Sequence, residues 1–133
     1  MQVYNSNFLQ IDAFDDQKLL ELTWLKATVD MTDEEYRNEH LELLKFMLEQ
    51  KTQKVVGNVK DLGFVVNPDT QEWMNINVFV PAIEVGFHKL AVVMSSEFLA
   101  QLSIEQVMEE KEGQKITTQY FDNVEEAREW IMM

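Results

Sequence analysis

The chain has 133 residues, of which 46% are hydrophobic, and this suits one globular domain (residues 1–133) with its own core. Its formal net charge of −13 argues against nucleic acid as a partner, because binding to phosphates draws its affinity from Lys and Arg. The absence of cysteine excludes disulfides, thiolate metal sites and a cysteine nucleophile.

The N-terminal segment predicts an antiparallel β-hairpin. Two strand-like apolar runs, residues 8–14 and 19–25, flank the polar turn 15–18. Residues 3–4 either begin the first strand or form a short strand of their own. The start of the chain has neither a basic stretch nor a long apolar run, so we expect no signal peptide and a cytoplasmic protein.

Two helix starts and a strand follow. Thr32 and Glu35 have the spacing of a capping box, and an apolar stripe after them predicts a helix ending near residues 50–51. The apolar run 55–59 predicts a short buried strand. Residues 67–69 (Asn-Pro-Asp) predict a second helix, because proline is favoured at the first helical position.

The segment after this start fits two patterns. Apolar residues alternate as in a strand at Met74, Ile76, Val78 and Val80. Helical spacing is shared by Trp73, Ile76, Val80, Ile83 and Phe87. We interpret the segment as a helix that Pro81 bends and Gly86 ends.

The last third predicts two more strand–helix units. Residues 89–94 are an unbroken apolar run typical of a buried parallel strand. Ser95 is expected to cap a short helix, and Ser103 to cap a second helical stretch after a break. Residues 116–121 predict the last strand, and residues 122–125 the start of the last helix. This alternation predicts an α/β domain with a mixed, mostly parallel sheet of four or five strands, an N-terminal antiparallel hairpin and about four helices.

No group of residues indicates catalysis, a metal or a cofactor. His40 and His88 lack a second ligand at metal-binding spacing, and the serines include no G-x-S-x-G elbow. The turn 60–63 follows a strand, where α/β proteins usually bind ligands. That turn has no Ser, Thr, Cys or His. An enzyme that uses Asp61 or another lone carboxylate is the least favoured hypothesis, because no second acid–base group can be placed beside it.

The end of the chain resembles a known family. Residues 120–131 (YFDNVEEAREWI) place an aromatic, an acid, two more acids, Ala and Trp in an order similar to the closing strand and helix of SpoIIAA-like proteins. These are STAS-type domains that also resemble the lipid-binding Sec14 fold. Residues 72–73 and 87–93 agree in kind, and the resemblance covers about residues 8–131. It implies a non-enzymatic STAS-like domain.

The resemblance also bears on regulation. In anti-sigma-factor antagonists of this kind, the Ser of an Asp-Ser pair at the central turn is phosphorylated. In this chain Asp61 is followed by Leu62, and the nearest hydroxyl is Thr70 in the predicted helix. We therefore expect no phosphorylation of residues 58–70.

Two functions follow as expectations. The first is a non-enzymatic interaction or ligand-binding module for a small apolar ligand, without cofactor; the expected site is Asp61, Phe64, Trp73, Ile76 and Phe79. The alternative for the four apolar residues is plain core. The second function is a regulatory STAS antagonist without a phosphoacceptor Ser, whose protein partner presents a basic surface. The chain could also form a homodimer. No apolar run reaches the roughly 18 residues of a membrane helix. Trp73 and Trp130 are expected to be largely buried.

Overall fold

A six-stranded mixed sheet forms the centre of the computed structural model, which describes all of residues 1–133. The strands are β1 (Gln2–Asn5), β2 (Leu9–Phe14), β3 (Leu19–Trp24), β4 (Lys54–Asn58), β5 (Lys89–Val93) and β6 (Thr117–Phe121). They lie side by side in chain order; β1, β2 and β3 pair antiparallel, and β3 to β6 pair parallel.

Four helices accompany the sheet. They are α1 (Asp33–Gln50), α2 (Pro68–Met74, continued by Asn75–Phe79 and Val80–Glu84), α3 (Phe98–Met108) and α4 (Val124–Ile131). The predicted α/β class and the N-terminal antiparallel hairpin are confirmed. None of the helices combines the length and the apolar character needed to cross a bilayer.

The sheet has one strand more than the largest number predicted. Residues 2–5 form a separate edge strand, β1, which pairs with β2 through Asn5 and Gln10. The chain reverses at Ser6, whose hydroxyl accepts hydrogen bonds from the backbone N–H groups of Phe8 and Leu9 at 3.1 and 3.0 Å. This short side-chain turn separates β1 from β2.

The strand order places the helices. Connections between parallel strands are right-handed, so strands that follow each other in chain order put their crossover helices on one face. Helices α1, α2 and α3 accordingly share a core of 23 buried residues with that face. Helix α4 has no following strand and covers the opposite face, where Ala127 and Ile131 pack against Val56 and Ala91.

Helix α2 is helical through residues 74–80, as interpreted from the sequence. Its middle segment, Asn75–Phe79, is a π-helical turn in which the Val80 N–H donates to the Asn75 carbonyl, five residues back. Pro81 follows at once and cannot supply the next N–H donor. Gly86 ends the segment with φ +118°, a conformation that favours glycine.

The structure corrects the prediction of a broken helix with caps at Ser95 and Ser103. Helix α3 runs unbroken from Phe98 to Met108, and neither Ser95 nor Ser103 is its N-terminal cap. The Ser103 hydroxyl lies inside the helix, donates to the Ala100 carbonyl at 2.8 Å and accepts from the Val66 N–H at 3.0 Å. Ser103 therefore does not begin a helix; its hydroxyl binds the loop before α2 to α3.

Trp73 and Trp130 are less buried than the sequence predicts. Trp73 and Trp130 are half-buried, whereas Trp24 on β3 lies inside the core. Each half-buried ring carries a cation over its face: the Arg37 guanidinium is 5.2 Å from the centre of Trp73, and Lys89 Nζ is 4.5 Å from that of Trp130. Long basic side chains thus cover ring faces that the helices leave open.

Candidate functional site

An apolar cavity of about 90 Å³ lies between the sheet and helices α1, α2 and α3. Its floor comes from the sheet face that those helices cover: Leu22, Trp24, Val55, Gly57, Leu90 and Val92. Its walls include Tyr36, His40, Met47, Met74, Phe79 and Met108 from the three helices. Of the 19 lining residues 17 are hydrophobic, so His40 and Gly57 are the two exceptions.

Gly57 leaves part of this space open. It lies in the middle of β4 on the same face as Val55, and a Cβ atom added there would meet Leu90 Cδ1 at 3.8 Å, an ordinary contact. The backbone at Gly57 does not have positive φ. A larger side chain is therefore compatible with the strand, and glycine at this position widens the cavity floor.

Stacked aromatic rings border the cavity. The His40 ring lies 5.2 Å from Trp24 and 4.4 Å from Tyr36, measured between ring centres. Tyr36 also stacks on Phe64 at 4.8 Å. The i, i+4 spacing on α1 places Tyr36 and His40 on the same helix face, toward the sheet.

The geometry defines the protonation state of His40. Its Nδ1 is 2.9 Å from the Tyr36 carbonyl oxygen, which can only accept, so Nδ1 carries the hydrogen. Burial lowers the pKa of His40 to about 4, and the hydrogen bond to Tyr36 opposes this shift only in part. The imidazole is therefore neutral at pH 7, and Nε2 is a free acceptor to which no protein group donates.

Two further polar atoms of the cluster lack protein partners, the Tyr36 hydroxyl and the Trp24 indole N–H. Trp24 and Tyr36 are 4% and 2% exposed, yet no fully enclosed polar side-chain atom in the chain is unpaired. These two polar atoms are therefore accessible, and both residues line the cavity. Burial raises the pKa of the Tyr36 hydroxyl, which keeps it protonated.

The residues expected to form the site are dispersed. Phe79 lines the cavity, and Phe64 is a buried core residue behind Tyr36. Trp73 stands on the outer side of α2 beside Arg37, and Ile76 is 56% exposed. Asp61 is exposed in the turn after β4 and does not line the cavity.

The helical period explains this division. Met74 and Val78, four residues apart, face the cavity, and the π-helical turn brings Phe79 to the same side. Trp73 and Ile76 fall on the other side of α2. Trp24, Tyr36 and His40 were not predicted as a group. The sequence feature that indicates part of it is the position of His40 four residues after Tyr36 on an apolar stripe.

The central turn offers no accessible hydroxyl. Thr70 is fully buried in the first turn of α2. Its Oγ1 accepts from Arg37 Nη2 at 3.0 Å and donates to Asp33 Oδ1 at 3.2 Å. Asn67 caps the helix by accepting the Thr70 N–H at 2.9 Å. The hydroxyl thus belongs to a hydrogen-bond network between α1 and α2.

Comparison with protein-family models, curated proteins and solved structures gives no match. No three His, Cys, Asp or Glu side chains come together in an arrangement that could hold a metal ion.

Proposed function

We propose that this chain is a non-enzymatic domain that binds a small, mostly apolar molecule in the cavity between its sheet and its helices. The observation that carries the proposal is the cavity of about 90 Å³ in the main core. Protein interiors are normally close-packed, and a void of this size lowers stability by roughly 2 kcal/mol. A ligand that fills it recovers the lost contacts.

The lining favours binding over catalysis. His40 and Tyr36 are its titratable side chains, and both are held in their neutral forms at pH 7. General acid–base catalysis works best with a group that titrates near the working pH. No carboxylate, Ser, Thr or Lys lines the cavity.

We also propose kinship with the SpoIIAA-like family. The C-terminal residues that carry the resemblance have structural roles: Asn123 caps α4 by accepting the Glu126 N–H at 2.9 Å, and Phe121 contacts Trp130 at 5.7 Å between ring centres. Such roles support a shared fold and leave the ligand to be found by experiment.

Native mass spectrometry of the purified chain tests ligand binding. The parent is expected to carry a bound mass that disappears on denaturation. Gly57→Val is the decisive variant, because a Cβ atom at this position meets only ordinary contacts and the two methyl groups add volume at the cavity floor. It should lose the bound mass while its thermal stability stays equal or rises. A matched control is Ile76→Val on the exposed side of α2, which should keep the ligand. Identical spectra for the parent and Gly57→Val, both without a bound mass, would contradict the proposal.

A second candidate is binding of a protein partner with a basic surface, in the manner of a STAS antagonist without the phosphate switch. Phe98 and Leu99, at the start of α3, are 76% and 62% exposed. Adjacent exposed large apolar side chains are frequent at interaction sites. The net charge of −13 favours a partner of opposite charge.

Capture of a partner protein, measured at increasing salt and in surface variants, tests this second function. Capture of a partner should weaken as salt is added and should be abolished in Phe98→Ser/Leu99→Ser. The control is Ile76→Ser, which replaces an exposed apolar residue on α2. Self-association that the double variant removes would identify a second copy of the chain as the occupant instead. Capture unaffected by either change would eliminate this surface.

A further inference from the structure

Nε2 of His40, a residue that lines the cavity, is a hydrogen-bond acceptor that receives no donor from the protein. The ring cannot turn to satisfy it elsewhere, because Nδ1 is engaged with the Tyr36 carbonyl at 2.9 Å and the ring is stacked on Trp24. Because no fully enclosed polar side-chain atom is unpaired, Nε2 is accessible, and a ligand that covered it without donating to it would bind unfavourably. Its position in an otherwise apolar lining selects for a ligand group that donates.

The rings of Tyr36 and Trp24, which pack against His40, carry a hydroxyl and an N–H that can donate. Neither makes a hydrogen bond within the protein, and both residues line the cavity. A ligand hydroxyl can donate to Nε2 and accept from one of these two groups at once, because it has one hydrogen and two lone pairs. An ether or a carbonyl lacks the hydrogen for the first bond.

Charge and size limit the ligand further. None of the lining residues is Lys, Arg, Asp or Glu, so an ionised ligand would be buried without a counter-charge. The volume of about 90 Å³ is smaller than the roughly 150 Å³ of an engineered apolar cavity that binds benzene, so lining side chains must move for a ring to enter. Met47, Met74 and Met108 line the cavity, and their flexible side chains can adjust to a single ring.

We propose that the cavity is a site for a small uncharged hydroxy compound of the phenol class, whose O–H donates to Nε2 of His40 while its ring lies among the aromatic and Met side chains. This inference rests on the proposed function and adds the polar group that orients the ligand. The low pKa of His40, caused mainly by burial, keeps Nε2 available as an acceptor across the neutral range.

Phenol, anisole, toluene and benzoate are suitable probes, because they share a ring and differ in donor, acceptor and charge. Dissociation constants are measured by calorimetry for the parent, His40→Phe and the lining control Met108→Leu. Comparing ratios of constants between variants cancels the different hydration of the probes. In the parent, phenol is expected to bind more tightly than toluene and anisole, because it alone donates a hydrogen bond to Nε2 of His40. Benzoate is expected not to bind.

The preference for phenol over toluene should fall at least about threefold in His40→Phe, as expected for one lost hydrogen bond, and should persist in Met108→Leu. An unchanged ratio in a folded His40→Phe would overturn this inference and leave apolar-ligand binding standing. If neither phenol nor toluene binds the parent, the proposed function fails and the inference fails with it.

A measurement on the parent alone covers the case in which His40→Phe does not fold. The ¹⁵N resonance of the unprotonated Nε2 moves when that nitrogen accepts a hydrogen bond. Phenol should shift it toward the protonated range, whereas toluene and anisole should leave it close to its position in the free protein. Equal shifts with phenol and toluene would rule out a hydrogen bond to His40.

Discussion

Arg128 on α4 and Glu21 on β3, 107 positions apart in the chain, form a bidentate ion pair. Arg128 Nη2 donates to Glu21 Oε1 at 2.6 Å, and Arg128 Nε to Oε2 at 3.1 Å. Lys89 Nζ donates to the carbonyl of Trp130, two residues further along the same helix, at 2.9 Å. These contacts hold α4 on the face of the sheet opposite the cavity.

Replacing Arg128 with Met should destabilise the protein by about 1–2 kcal/mol. The Glu21 carboxylate is buried and would lose its partner, but the half-exposed Arg128 makes the loss smaller than for a fully buried pair. Urea denaturation measures the change. Lys45→Met, which breaks the exposed pair with Glu42, should change stability by less than about 0.5 kcal/mol. Equal effects of the two substitutions would contradict the role given to Arg128.

Protonation of His40 should destabilise the fold in acid. Its pKa is about 4 in the folded protein against 6.5 in the unfolded chain, so the unfolded chain binds the proton more tightly between these values. The contribution is fully present above pH 6.5 and is lost as pH falls through 4. A shift of this size corresponds to about 3 kcal/mol.

Urea denaturation at a series of pH values from 7 to 4 separates this contribution from that of the carboxylates. His40→Phe should lose less stability over the range than the parent. His88→Phe, at an exposed position, is the matched control and should follow the parent. A His40→Phe profile parallel to that of the parent would show that His40 does not resist protonation in the fold.

Residues 58–70 should not accept phosphate. Thr70 is the one residue of this range with a hydroxyl side chain, and it is fully buried between Arg37 and Asp33. Incubation with cell extract and ATP, followed by peptide mapping, checks the prediction. The unfolded chain, treated in the same way, shows whether the peptide itself is a substrate. Stoichiometric phosphate on Thr70 of the folded protein would refute it.

Trp130→Ala should cost roughly 2 kcal/mol, less than the 3–5 kcal/mol of a fully buried aromatic, because the ring is half-buried. The loss comes from its contact with Phe121 and from the cation of Lys89 above it. Thermal melts measure it, with the exposed Ile76→Ala as control. A Trp130→Ala variant as stable as the parent would remove the main support for the resemblance to SpoIIAA-like domains.

Local interactions made several elements predictable from the sequence. The Thr32 and Glu35 capping box forms as expected, with the Glu35 N–H donating to Thr32 Oγ1 at 3.1 Å. Asn67 and Asn123 cap their helices in the same way. These partners are three residues apart, so the backbone conformation alone brings them together. The order of strands and helices then led to the mostly parallel α/β sheet.

The cavity could not be predicted, because it depends on how elements distant in the chain meet. Trp24 comes from β3, His40 from α1 and Met108 from α3, and their proximity follows from the placement of three helices on one sheet face. Apolar periodicity identifies the buried side of a helix but not how completely its neighbours fill the space. On α2 both the pair Trp73 and Ile76 and the pair Met74 and Val78 have helical spacing, so periodicity could not decide which pair faces the sheet, and Ile76 was expected inside. The volume that packing leaves beside Gly57 is a property of the assembled core.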